Sequence, residues 1–168
     1  MIVRPATGND ACAIARVQER SWQQAYRHVF PPADLDRGGF IDPELWRQRL
    51  EEPPGGWTTL VAELDRGLAG FVCSGPSRDQ RATGEVYALY VDPDAWGHGA
   101  GRALLAEAER RLAQRYRAAT LWVLDDNPRA RRFYEIAGWR PDGGRKIEAL
   151  RFDVPTAEVR YRKELATA

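Results

Sequence analysis

A chain of 168 residues suits one folded domain with a single sizeable core, and 43% hydrophobic with 29% charged residues is an ordinary globular composition, neither disordered nor collagen-like. A formal net charge of +1 gives no general pull toward nucleic acid or an anionic membrane, so partners must be recognised locally. No apolar run approaches the ~18 residues of a membrane span, and Met1-Ile2-Val3-Arg4-Pro5 lacks a signal-peptide core, so the expected location is the cytoplasm.

Residues 2–4 read as a short edge strand. Asn9-Asp10 is a plausible cap for a helix running to about Tyr26, with Ala11, Ile14, Ala15, Gln18, Trp22 and Ala25 near one face. Trp22 and Tyr26, one turn apart, are either core aromatics or the lining of a substrate pocket. Cys12 and Cys73 stand alone, as do His28 and His98, so no metal site is expected. Residues 29–41 form a long loop broken by Pro31-Pro32 and Gly38-Gly39, and loops of this length are often functional. Asp34 and Asp36 on it either meet a cationic substrate or are simply solvated. Pro43 then opens a short helix that ends before Pro53-Pro54-Gly55-Gly56.

Residues 57–64 and 68–74 flank Asp65-Arg66-Gly67 and read as a hairpin. After a polar loop comes an unbroken apolar and aromatic run, residues 86–91, which suits a central strand covered on both faces. Asp92-Pro93 ends it. Gly97, Gly99 and Gly101 then precede a helix whose Gly101, Leu104, Leu105, Ala108 and Leu112 share one face. Helix-opening amides have no intrahelical acceptor, and glycines admit an anion close to them, so this loop predicts a diphosphate site. The spacing is not Gly-x-Gly-x-x-Gly, and no Gly-Lys-Ser or Gly-Lys-Thr follows, which excludes dinucleotide and Walker loops.

Residues 119–124 form a second apolar strand, reached by a helical crossover and therefore parallel to the first. Asn127-Pro128 caps and opens a helix that runs to Ala137 and stops at Gly138. Residues 139–140, 147–152 and 158–165 supply the closing strands, giving a mixed sheet of six or seven strands flanked by about four helices, an α/β (α+β) architecture.

Two stretches together resemble the GNAT superfamily of N-acetyltransferases. The first is Trp96-Gly97-His98-Gly99-Ala100-Gly101, with Leu89-Tyr90-Val91-Asp92-Pro93 before it and Arg102-Ala103-Leu104-Leu105 after it; Trp96 stands where the family has glutamine or arginine. The second is Asn127 followed by Phe133-Tyr134-Glu135-Ile136 and Gly138-Trp139. The resemblance implies one GNAT domain over residues 1–168, acetyl-CoA as co-substrate without a metal, and a monomer or homodimer. It implies that Gly97, His98, Gly99, Ala100, Gly101 and Arg102 hold the pyrophosphate. Leu89, Tyr90 and Val91, on a bulged strand, and Asn127 would meet pantetheine and the acetyl oxygen, and Arg129, Arg131 and Arg132 are candidates for the outer phosphate. Glu85 falls where some members carry a general base, and Tyr134 where the family has the acid beside the sulfur. Trp22 and Tyr26 would line the acceptor pocket. The implied reaction is direct acetyl transfer to a primary amine, more in keeping with a small molecule than a protein. A non-catalytic acyl-CoA-binding module and an acyltransferase for longer chains are the alternatives.

Overall fold

The computed structural model describes residues 1–166. Its backbone is one sheet of seven strands: β1 (Ile2–Pro5), β2 (Thr58–Leu64), β3 (Gly67–Pro76), β4 (Gly84–Val91), β5 (Ala118–Leu124), β6 (Arg140–Ala149) and β7 (Pro155–Glu164), in the order β1-β2-β3-β4-β5-β7-β6. All neighbours are antiparallel except β4 and β5, which the crossover helix makes parallel. The mixed α/β sheet expected from the sequence is therefore present.

Among the described residues five α-helices cover the sheet: α1 (Ala11–Ala25), α2 (Pro32–Arg37), α3 (Pro43–Glu51), α4 (Ala100–Leu112) and α5 (Pro128–Ile136). On one face, Leu104, Leu105, Ala108 and Leu112 of α4 and Tyr134 of α5 pack with Leu60, Val72, Val86, Leu121 and Tyr161. On the other, Ile14 and Val17 of α1 and Trp46 of α3 pack with Val61, Phe71 and Cys73. These opposed layers fit the apolar runs of the central strands.

Three local expectations are revised. The stretch 29–41 is not all loop, because Pro32 opens α2, whose Leu35 is fully buried against Trp22 and Phe30. Residues 140–149 form one strand: a register shift between Pro141 and Arg145 absorbs the glycine pair, while Phe152 lies beyond it in the β6–β7 turn. Asp10 does not cap α1 directly. It closes a 3₁₀ turn, Gly8–Asp10, whose N-cap is Thr7; the Asp10 carboxylate accepts from the Thr7 amide at 2.8 Å and is gripped by Arg4 at 2.8 and 2.9 Å.

Candidate active site

The site begins where two strands part. β4 and β5 pair only through Gly84–Ala119, Glu85–Thr120 and Val86–Leu121, whereas β3 follows β4 to Val91. Beyond Val86, then, the β5-facing edge of β4 has no strand partner, and its backbone polar groups need another. The bulge falls at Tyr87 rather than at 89–91: Ala88 pairs with Cys73 and Val86 with Ser74, leaving Tyr87 unmatched. The extra residue turns both Tyr87 and Ala88 toward the α1 and α3 side, and it leaves Leu89 and Val91 against α4.

The wedge opens into a cleft of about 830 Å³ lined by β4, β5, the glycine loop, α1 and α5. At one end is the start of α4. Ala103 donates the first helical bond to the Gly99 carbonyl at 3.0 Å, so the amides of Ala100, Gly101 and Arg102 have no helical acceptor. Gly97 (φ +81°) and Gly99 (φ +85°) hold left-handed backbone, whereas a Cβ at Gly101 would rest 3.4–3.6 Å from Val91 and Phe133. The first two glycines thus shape the loop, and Gly101 lets α4 settle on β4 and α5. Trp96 pins this loop: its indole donates to the Val91 carbonyl at 2.8 Å, and the Arg129 guanidinium lies 3.5 Å from its ring centroid. Unpaired amides, a nearby cation and an open strand edge fit a phosphate-bearing, extended co-substrate such as an acyl-CoA.

Leu89, Tyr90, Val91, Gly97, Gly99, Ala100, Gly101, Arg102, Asn127 and Tyr134 all line this cleft. His98 does not; it is exposed, and its ring bonds back to the Trp96 carbonyl at 2.9 Å. Arg131 is committed to Asp125 at 2.7 Å and the Tyr161 hydroxyl at 3.1 Å, which leaves Arg129 as the outer-phosphate candidate that lines the cleft. Asn127 Oδ1 caps α5 by accepting from the Ala130 amide at 3.0 Å, while its amide nitrogen remains as a donor for a ligand. Tyr134 is almost buried, and that burial, reinforced by Tyr90, raises its phenol above the ordinary range and keeps it protonated at neutral pH.

At the other end Trp22 and Tyr26 do line the cleft, joined by Tyr90. Behind them Trp22 stacks on Phe30 at 5.4 Å, and Phe40 and Phe152 close the cluster, their rings 5.4 Å apart. Arg151 in the β6–β7 turn donates to the Phe40 carbonyl, tying that turn to the segment before α3. Phe30, Phe40 and Phe152 were invisible as a group because they come from three separate irregular segments.

Glu85 requires a correction. Its side chain is fully buried and outside the cleft wall. Both oxygens are taken by Arg78: Oε2 by the backbone amide at 2.8 Å, Oε1 by the guanidinium at 2.5 and 3.0 Å. Arg78 in turn lies 5.2 Å from the centroid of Tyr87, which stacks on Trp57. Glu85 therefore anchors the β3–β4 loop to the head of β4.

Comparisons with known proteins bear on the family and the fold. The family model described as the acetyltransferase (GNAT) family matches residues 17–139. The uncharacterized N-acetyltransferase YuaI of Bacillus subtilis is 33% identical over 131 residues, covering 75% of this chain and 73% of that protein. A mycothiol acetyltransferase of Kineococcus radiotolerans is 42% identical over 97 residues, but these span 55% of this chain and only 30% of that enzyme. Among solved structures, the PaiA N-acetyltransferase of Thermoplasma acidophilum in complex with coenzyme A superposes with a TM-score of 0.73 at 20% identity, covering 97% of this chain and 98% of that one. Among the described residues no helix is long and apolar enough to cross a membrane, and no cluster of three potential metal ligands occurs.

Proposed function

The chain belongs to the acetyltransferase (GNAT) family, and from that premise we propose that it is an acetyl-CoA-dependent N-acetyltransferase that passes the acetyl group directly to a primary amine of a small molecule. The observation that carries this reading is the wedge beyond Val86, with unpaired helix amides at one end, an almost buried tyrosine in its wall and an aromatic pocket at the other end. In this reading the amides of Ala100, Gly101 and Arg102 take the pyrophosphate, and the free edge of β4 takes the amide-bearing arm as a substitute strand. The coenzyme A bound in the PaiA structure supports an acyl-CoA here.

The residues divide the chemistry as follows. An alkylamine is an ammonium at neutral pH, with a pKa near ~10.4 for a lysine-type amine, and must lose a proton before it attacks. A backbone amide on the β4 edge at Leu89, Tyr90 or Val91 steadies the oxygen of the tetrahedral intermediate. The Tyr134 phenol gives a proton to the departing sulfur. A small acceptor is favoured over a protein chain because the β6–β7 turn and the segment before α3 are bonded together behind Trp22, backing the aromatic end of the cleft.

A screen of thiol release from acetyl-CoA over a panel of primary amines, with product masses, tests the proposal. At least one amine should gain one acetyl group for each thiol released. Tight acetyl-CoA binding with no acetylated product would instead mark a non-catalytic acyl-CoA module.

A further inference from the structure

With Glu85 closed off by Arg78, the acceptor half of the cleft needs another group to receive an amine. Three side-chain polar atoms among the described residues are buried without a hydrogen bond: Arg20 Nε, Trp22 Nε1 and Glu158 Oε2. Arg20 Nε has an ion-pair partner, lying 3.0 Å from the Asp92 carboxylate. Trp22 Nε1 is a donor only and belongs to a ring that packs beside Tyr90. Glu158 Oε2 is the single acceptor, and its residue is 8% exposed in the wall of the cleft.

The surroundings of Glu158 leave its charge incompletely met. It sits on β7 opposite Leu124 of β5 and Lys146 of β6. The Lys146 ammonium is 3.3 Å from Oε2, close enough for an ion pair but off the hydrogen-bonding direction. That ammonium is shared with Glu148 at 3.1 Å and lies 4.5 Å from the Trp122 ring centroid. Two carboxylates thus share one cation, and Arg78 on the rim is bound to Glu85. From just beyond the end of α1 and from β4, Tyr26 and Tyr90 face the same space, and burial raises both phenols so that they carry no charge at neutral pH. A buried carboxylate that shares its one nearby cation with a second carboxylate is incompletely neutralised, and a ligand cation would relieve this. Burial also raises the Glu158 carboxyl, Lys146 pulling the other way and Glu148 adding to the rise, so it holds a proton better than a surface carboxylate.

We propose that Glu158 is the subsite for the acceptor's ammonium group, its carboxylate first accepting a hydrogen bond from that group and then accepting its proton. This rests on the N-acetyltransferase reading and narrows the acceptor to primary alkylamines, which arrive as cations, with the carbon skeleton against Trp22, Tyr26 and Tyr90. The balance is as follows. One proton passes from the ammonium to Glu158, and the nitrogen lone pair forms the bond to the acetyl carbon. The carbon–sulfur bond breaks as Tyr134 protonates sulfur. The second nitrogen proton restores Tyr134, and Glu158 returns its own proton to water, so each turnover yields one amide, one thiol and one released proton.

The test compares wild type with Glu158→Gln, using the alkylamine that the wild type acetylates best from a panel of primary alkylamines and arylamines. The variant should lose about 10²–10³-fold in kcat/KM at pH 7, and the loss should shrink about tenfold per pH unit as the free amine replaces the base. Its acetyl-CoA affinity and melting temperature should match or exceed those of the wild type, since a buried charge is replaced by a neutral isostere. As a second arm, Lys146→Met removes the cation that lowers the Glu158 pKa, so the acid limb of the wild-type kcat/KM profile should move to higher pH. A Glu158→Gln variant within about twofold of wild type across pH, or an acid limb unmoved in Lys146→Met, overturns the assignment of Glu158 while leaving the enzyme reading intact. A preference for arylamines overturns the alkylammonium class. Absence of any acetylated amine overturns both.

Discussion

Tyr134 is the side chain with the most direct demand on it. It is nearly buried, lines the cleft beside Phe133 and keeps its proton at neutral pH. Tyr134→Phe should lower kcat about 10²-fold or more while acetyl-CoA affinity changes little, because a hydroxyl acting only as sulfur departs contributes to the transition state and not to binding. Equal turnover by variant and wild type removes Tyr134 from the reaction. A different residue answers for stability. Arg4 and Thr7 hold the Asp10 carboxyl down from 3.8 to about 2, burial opposing them in part. A depressed acid stabilises the fold above its unfolded pKa and loses that contribution as pH falls through the folded value. Asp10→Asn should therefore cost about 1–2 kcal/mol at neutral pH. The gap between it and wild type in denaturant melts should close between about pH 4 and about pH 2. The place of Tyr134 in the cleft wall was legible through the family resemblance, which matches it by its distance after Asn127. The fate of Glu85 could not, since its neutraliser, Arg78, lies on a loop whose path no local pattern sets.

Among the elements, the entrance to α4 was the most legible, because alternate glycines followed by a heptad-like apolar face have few other structural meanings. What the pattern did not separate is the work of each glycine. Gly99→Ala places a side chain in left-handed backbone and should cost about 1 kcal/mol of stability. It should also weaken acetyl-CoA binding about tenfold, a further ~1.4 kcal/mol. Gly101→Ala meets only ordinary contacts with Val91 and Phe133, so its melting temperature should stay at or above wild type. Equal behaviour of the two variants in calorimetry would contradict this division. The parallel partner of β4 was legible from the crossover helix, yet where the two strands separate was not. That point lies next to the bulge at Tyr87, and alternation within an all-apolar strand carries no mark of an extra residue. Likewise α2 hid inside a proline-broken loop because six residues are too few to display a period.

For the molecule as a whole, the sheet brings a phosphate grip from the middle of the chain, an acid from α5 and an aromatic pocket from both ends into one cleft. Such a cleft spans the two core layers, so a ligand filling it ties them together. At 100 times its Kd, acetyl-CoA should stabilise the fold by about 2.7 kcal/mol, and the melting temperature should rise by about 5–10 °C. ADP, which keeps the diphosphate, and pantetheine, which keeps the amide-bearing arm, separate the two halves of that grip. The central claim is that the thioester lies in the gap between β4 and β5, and a crystal structure with acetyl-CoA bound tests it most directly. The pyrophosphate should rest on the amides of residues 100–102, the pantetheine arm along the free edge of β4, and the sulfur beside the Tyr134 hydroxyl. A nucleotide bound elsewhere, with that edge untouched, would contradict the account.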